Sequence, residues 1–286
     1  MLNGFWDEVP RHLKNALIIN TFRAGLARTQ LDFERQARGY KQGGINSAVS
    51  TFSPEKVDDY EIGWKSRLFD NHALLQVGGY YMKYEGMQQQ VLNPQTTQVE
   101  VTNLGDSEIY GIEVSLQARF GGLILDGGFA YTHSKLGAVT AVAAYQLPGP
   151  ANLLGPQCAP GQVMGCFDYT PFTVDLSGQT IPYSPEITLN GSIAYEIPIG
   201  DDATLTPRLS VSRIGTQFAS IFQNTDYFRI AGRTTMDAFL VFEADEWTVN
   251  GFVRNLTNKV YITGLANAAA FYSAPRTYGI SVARRF

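Results

Sequence analysis

From about residue 31 the chain alternates apolar and polar positions in long runs separated by turns. The clearest run is Ile109–Phe120. Tyr110, Ile112, Val114, Leu116, Ala118 and Phe120 fall on one side; Gly111, Glu113, Ser115, Gln117 and Arg119 fall on the other. Period two over that length describes a β-strand with one greasy and one polar face. The pattern recurs in Leu123/Leu125/Gly127/Phe129/Tyr131, in Ile187/Leu189/Gly191/Ile193/Tyr195, in Met236/Ala238/Leu240/Phe242 and in Tyr278/Ile280/Val282. About ten strands are expected, near 31–41, 57–69, 73–91, 98–120, 122–136, 184–198, 204–218, 231–244, 246–257 and 275–286. Many reach the roughly 9–11 residues a tilted strand needs to cross a bilayer, whereas strands of globular proteins run about five or six.

The connections sharpen that picture. Asp70-Asn71, Gly121-Gly122, Ile199–Ala203 and Ala244-Asp245 are short. Between them lie the longer segments 42–56, 92–97, 137–183, 219–230 and 258–274. Short and long alternate along the series. Outer-membrane barrels sort their connections this way, with tight periplasmic turns and long extracellular loops. Aromatic residues also collect near strand ends, as at Tyr60, Trp64, Tyr80, Tyr81, Tyr131, Tyr195, Trp247 and Tyr278, where headgroup girdles would lie.

Composition narrows the class further. Apolar residues make up 44% and charged residues only 17%, yet mean hydropathy is −0.10. No window approaches the roughly 18 apolar residues of a spanning helix. A membrane protein without such helices must be a barrel, since only helices and closed barrels satisfy their backbone groups in lipid. Composition alone leaves a soluble all-β protein open; with the strand lengths and the sorted connections, the expectation is an all-β, antiparallel transmembrane barrel. The net charge of −4 gives no basic footprint, so no nucleic-acid partner is expected.

Cys158 and Cys166 are the two cysteines. Their spacing is wider than a C-x₂-C metal knuckle, and no histidine lies close by. A loop disulfide formed in an oxidising compartment fits them better. The apolar run Ala16–Asn20 is too short for the core of a signal peptide, and Asp7 and Glu8 precede it. An exported protein needs such a signal, so sequence missing upstream is expected.

Six stretches, in order, carry a resemblance: Ala37–Asn46, Pro54–Ser66, Val101–Glu113, Ile181–Glu186, Arg254–Tyr261 and Pro275–Phe286. Over residues 37–286 the chain resembles the C-terminal part of TonB-dependent outer-membrane receptors. The resemblance implies an open portion of a twenty-two-strand barrel over 31–286, preceded by a non-family segment over 1–30. It also implies residence in the outer membrane and uptake of a ferric siderophore or similar scarce nutrient. TonB would act only through a plug and box that this sequence lacks, and a truncated, split or misannotated reading frame would account for that lack. The resemblance further implies that the barrel-assembly machinery reads Tyr278, Ile280, Val282 and Phe286. Arg284 stands where the family tends to place an aromatic residue. The alternatives are a complete ten-stranded barrel, which would pair its first strand with its last, and a remnant that is never exported.

Enzymatic signals are thin. His12, His72 and His133 form no H-E-x-x-H arrangement, and neither a Gly-x-Ser-x-Gly elbow nor a P-loop occurs. His133 beside Ser134 would suit a lipase only if the two came within hydrogen-bond reach; a polar strand end explains them more simply. Asp58-Asp59 and Asp201-Asp202 read as solvated turn acids. No cofactor or metal site is expected. The candidate ligand-facing element is the loop 137–183, because binding residues concentrate on loops held by rigid scaffolds. Its aromatics are Tyr145, Phe167, Tyr169 and Phe172. A Cys158–Cys166 bond would close a short loop and limit its unfolded freedom, an effect of roughly 2–3 kcal/mol for loops of this size.

Overall fold

The computed structural model describes residues 18–27, 30–223, 226–266 and 269–285. Eleven strands follow one another in a single antiparallel sheet: β1 (Ile18–Ala27), β2 (Gln30–Lys41), β3 (Glu55–Leu68), β4 (Ala73–Glu85), β5 (Ser107–Phe120), β6 (Leu123–Lys135), β7 (Ile187–Tyr195), β8 (Ala203–Ile214), β9 (Arg233–Ala244), β10 (Trp247–Arg254) and β11 (Thr277–Arg284). A short segment, Ile197–Ile199, also pairs with β8.

Two differences from the sequence expectation have physical causes. Among the described residues the sheet starts with Ile18–Ala27, one strand ahead of the ten expected. The β1–β2 ladder shifts register between Ala24 and Leu26, and such a bulge breaks the strict alternation by which a strand is recognised. The strands expected over 73–91 and 98–120 are each shorter. The chain leaves the sheet after Glu85, makes a separate hairpin from Gln88–Asn93 and Gln98–Asn103, and rejoins at Ser107. That hairpin is as extended as the strands beside it, so local pattern alone does not separate them.

The described tight turns sit at the same end of the sheet, and apart from Phe69 (φ 54°) their left-handed positions hold residues that tolerate that backbone. Asp70 and Asn71 have φ of 53° and 73°, Asp245 48° and Gly121 59°. The opposite end carries the long connections. With an odd number of antiparallel strands, β1 and β11 run in the same direction. Closure of the chain on itself would need a parallel seam, and no ladder joins the described residues of β1 and β11. The sheet is open, and the complete ten-stranded barrel does not form.

Register fixes what each face presents. One row runs Leu68, Ala73, Ala118, Leu125, Ile193, Leu209, Ala238, Val253 and Tyr278 across β3 to β11, apolar throughout apart from a terminal phenol. A row on the opposite face runs Lys65, Gln76, Ser115, Gly128, Asn190, Ser212 and Thr235. The apolar face is the uncovered one: Ile62 is 61% exposed, Ile112 50% and Ile280 76%. In water such a surface would far exceed what a soluble monomer leaves open. In lipid it needs no cover.

Candidate ligand site at the long-loop end

The long connections pack on one another rather than dangling. Met87, Leu104, Leu136, Ala141, Leu176 and Ile221 form a buried cluster drawn from three of them. Leu92, Val142 and Tyr169 form a second, closed by Phe167 and Phe172. A small sheet ties the loops further: Gln88–Asn93 pairs with Gln98–Asn103 and meets Thr140–Val142, which pairs with Thr173–Asp175.

Asparagines at the strand exits brace this cap. Asn103 donates from Nδ2 to the carbonyls of Ser53 (2.9 Å) and Gly86 (2.7 Å), and its Oδ1 accepts from the Ser53 N–H at 2.7 Å. Asn255 donates to the carbonyls of Lys259 (2.8 Å) and Ala274 (3.2 Å) and accepts from the Lys259 N–H at 3.1 Å. Both lie in stretches that carried the family resemblance. Their chemistry is structural: one amide side chain satisfies three backbone groups where a loop leaves the sheet. Gly105 belongs to the same stretch as Asn103, and a Cβ there would stand 2.6 Å from the Ala138 carbonyl oxygen.

Glu100 anchors the outermost hairpins. Its carboxylate accepts from Ser50 Oγ (2.5 Å), Thr96 Oγ1 (2.7 Å) and Asn93 Nδ2 (2.7 Å). These hydrogen bonds, that from Ser50 foremost, stabilise the ionised form and hold its pKa below the usual carboxylate range.

An aromatic cleft of about 710 Å³ opens between the loops. Tyr145 forms one wall, with its ring 5.7 Å from Phe222 and 5.2 Å from Phe228, and Tyr227 stacks edge-on to Phe228 at 4.9 Å. Ala144, Ala219, Ser220 and Leu265 complete the lining. Two polar clamps hold the walls in place. Gln223 donates to the Thr180 carbonyl (2.5 Å) and accepts from the Thr180 hydroxyl (2.9 Å). The Tyr183 hydroxyl donates to the Leu265 carbonyl (2.9 Å) and accepts from the Leu265 N–H (3.3 Å). Among the described residues no carboxylate, histidine, lysine or arginine lines this cleft. Its rings can hold an apolar or aromatic ligand surface.

The residues singled out from sequence separate into different roles. Of the four loop aromatics, Tyr145 reaches the cleft. Tyr169 is 1% exposed, and its hydroxyl donates to the Gly155 carbonyl at 2.8 Å. Phe167 lies 4.9 Å from the Tyr169 ring and 5.7 Å from Phe172, so these three build the loop's own core. Cys158 and Cys166 are bonded to each other. Tyr278, Ile280 and Val282 project from the apolar face of β11; Phe286 lies outside the described residues. Arg284 faces Trp247 across the ladder, stacks on that ring at 5.4 Å and meets the Glu246 carboxylate at 2.9 Å. Phe222, Tyr227 and Phe228 were missed because the segment 219–230 looked like a simple connection. Its density of aromatic residues was the available signal.

Strand geometry also separates His133 from Ser134. Neighbours on a strand point to opposite faces. His133 joins the apolar face beside Tyr110 at 4.9 Å, while Ser134, buried, accepts from the Ile181 N–H at 3.0 Å, so the two do not meet. Asp58 and Asp59 are not solvated turn acids: both lie within β3, where Asp58 pairs with Arg38 at 2.5 Å and Asp59, on the other face, is buried.

This arrangement is an inside-out sheet with a braced, aromatic-lined cap, and comparison with known proteins gives it a class. The family described as TonB dependent receptor-like, beta-barrel matches residues 18–256. The chain belongs to that family, whose barrels are outer-membrane proteins. No helix among the described residues is long and apolar enough to cross a membrane. Solved structures agree in fold. The ferric yersiniabactin uptake receptor FyuA from Yersinia pestis matches 94% of this chain with a TM-score of 0.68 at 20% identity, over 37% of its own length. BauA, the ferric preacinetobactin receptor from Acinetobacter baumannii, matches 94% with a TM-score of 0.66 at 18% identity, over 36% of its length. The ferric-catecholate import receptor Fiu from E. coli K12 matches 94% with a TM-score of 0.64 at 17% identity, over 34% of its length. The chain thus spans little more than a third of each receptor.

Proposed function

We propose that this chain forms a ligand-facing wall of an outer-membrane receptor for an iron chelate or similar scarce nutrient. The apolar face of the sheet meets lipid, the polar face lines the interior, and the long loops stand at the cell surface. The aromatic cleft between Tyr145, Phe222, Tyr227 and Phe228 is the observation that carries the reading, because it gives a surface-side receptor somewhere to seat a flat or greasy ligand. The receptors it resembles are named for ferric yersiniabactin, ferric preacinetobactin and ferric catecholates, and a cargo of that kind fits such a cleft. Coupling to TonB is assigned to parts of the receptor other than these strands. The outward row Tyr278, Ile280 and Val282 is assigned to recognition by the barrel-assembly machinery.

The test uses the folded chain in detergent, titrated with a ferric tris-catecholate and a ferric hydroxamate while intrinsic fluorescence is followed. At least one chelate should quench, and the double change Tyr145→Ala/Phe228→Ala should weaken that binding about tenfold, or ~1.4 kcal/mol. Binding that ignores both substitutions, or no binding of either chelate, refutes the reading.

A further inference from the structure

Two of the three segments that wall the aromatic cleft are tied to a single residue. Tyr183 donates its backbone N–H to the Phe218 carbonyl at 2.8 Å, at the foot of the segment that carries Phe222, Tyr227 and Phe228. Its hydroxyl reaches the other way, donating to the Leu265 carbonyl at 2.9 Å and accepting from the Leu265 N–H at 3.3 Å. Leu265 faces Ala270 in the ladder between Ile262–Ala266 and Ala269–Tyr272. The phenol thus takes the place of a neighbouring strand on the edge of that hairpin, satisfying both backbone groups of one residue. The third wall, Ala144 and Tyr145, belongs to the loop that Tyr183 ends.

The backbone at Tyr183 is an unfavourable one for a residue with a large side chain. Pro182 and Tyr183 are the middle residues of a turn in which the Ser184 N–H donates to the Ile181 carbonyl at 3.3 Å, and Tyr183 has φ of 56°. Turns with a positive φ at the second middle position favour glycine or asparagine there, and for a bulky residue that conformation is an outlier. Strain of this kind persists where the surroundings over-determine it, and it gathers at ligand clamps. Burial does not account for the ring, since Tyr183 is 47% exposed. What the ring provides is reach: a tyrosine has two side-chain torsions and carries its hydroxyl on a rigid body. Glycine would suit the turn and lose the tie to Leu265.

We infer that Tyr183 is the positioning residue that sets the width of the cleft and thereby its selectivity. It holds the Leu265 wall at a fixed distance from the wall of rings, so that a chelate presenting a flat ring enters and one with branched bulk does not. The inference rests on the reading of this cleft as a chelate site. Anchored at both ends, the phenol lets the gap widen only when one of its three hydrogen bonds breaks. Tyr183 is not itself among the lining residues, whereas Leu265 is. Its effect on a ligand therefore passes through Leu265 and vanishes when that side chain is removed.

The test uses the full chain in detergent and two substitutions that act oppositely on the turn. Tyr183→Phe keeps the ring and the strain and loses the hydroxyl; Tyr183→Gly loses the hydroxyl and relieves the strain. In the unliganded protein, hydrogen exchange over 262–266 should accelerate about tenfold in both, with 136–142 and 170–176 unchanged. A ferric tris-catecholate and a ferric tris-hydroxamate are then titrated, each beside an analogue carrying tert-butyl groups on its outer rim. The wild type should prefer the plain form of whichever chelate it binds by about tenfold, a ratio that small misfits command in an apolar pocket. Both variants should lose that preference. Leu265→Ala should lose it too, with no further change when combined with Tyr183→Phe. Tyr183→Gly should melt no lower than Tyr183→Phe, because it relieves the turn, which separates lost selection from lost stability. Unchanged exchange at 262–266 overturns the inference whether or not a chelate binds. A preference that survives either substitution, or additive effects of Tyr183→Phe and Leu265→Ala, overturns it as well. A wild type that binds neither chelate overturns the proposed function and the selectivity built on it, while the exchange result still decides whether Tyr183 holds the Leu265 wall.

Discussion

The strands and the loop cap of this chain obey opposite rules of burial. In the cap, Leu136 and Leu176 are wholly buried and Tyr169 is 1% exposed, as in any water-soluble core. In the sheet, residues of the same kind stand open, with Ile112 at 50% and Ile280 at 76%, while Lys65, Gln76, Asn190 and Asp237 occupy the other face. On the proposed orientation, one polypeptide serves two solvents. Where water surrounds it, apolar side chains must find each other; where lipid surrounds it, they need only point outward, and stability comes from the hydrogen-bonded ladder and the excluded polar groups. The difference predicts that equivalent substitutions act differently in the two regions.

The largest effect is expected in the cap. Leu136→Ala leaves a cavity in a cluster that joins three loops and should cost about 2–5 kcal/mol. Hydrogen exchange should rise across 136–186 and 86–106 while the strands stay protected; exchange that rises everywhere would mean that the two regions are not separable. In the sheet, Ile112→Arg places a charge at mid-span and should cost about 2–4 kcal/mol. The measure is the yield of folding into lipid vesicles. A soluble protein would accept the same change at a half-exposed site with almost no penalty, so an unchanged yield would break the comparison.

Smaller effects fall on the joints between the regions. Asn103→Ala strands the Ser53 and Gly86 backbone groups and should cost about 1–3 kcal/mol, seen as faster proteolysis at 42–54 and 86–106. The smallest is a pH effect at Glu100. Its folded pKa lies below the usual carboxylate value, so its contribution is complete above that value and is lost as pH falls through the lower, folded pKa. Protease sensitivity of the hairpins Gly44–Phe52 and Gln88–Asn103 should increase on acidification to about pH 3, near or below the ordinary carboxylate range. Glu100→Gln should remove most of that dependence; a full acid response in the variant would assign it to other groups.

The contrast also explains what the sequence discloses. The strands are legible because a sheet with one apolar and one polar face imposes period two on its residues, so Ile109–Phe120 announces itself. The register bulge at Ala24–Leu26 hides β1, and the hairpin Gln88–Asn103 passes for strand because extension, not partner choice, is what alternation records. The cap is illegible for the reason that it resembles a soluble core. Its contacts join positions far apart, such as Tyr145 with Phe228, and no local period marks them. Tyr169 looked like a contact residue and proved to be a core one, since the sequence gives an aromatic ring no direction. The Asn103 and Asn255 stretches were visible as a family resemblance, but their backbone-bracing role needed coordinates.

The central claim is the orientation of the two faces, and a spin-label scan tests it most directly. Single cysteines carrying nitroxides, placed one at a time from Ile109 to Arg119 in bilayers with the native cysteines replaced by serine, report access to lipid-soluble oxygen and to a water-soluble nickel chelate. Oxygen access should peak at 110, 112, 114, 116 and 118 and nickel access at the positions between them. Equal access at neighbouring positions, or nickel access peaking at the even ones, would contradict the account.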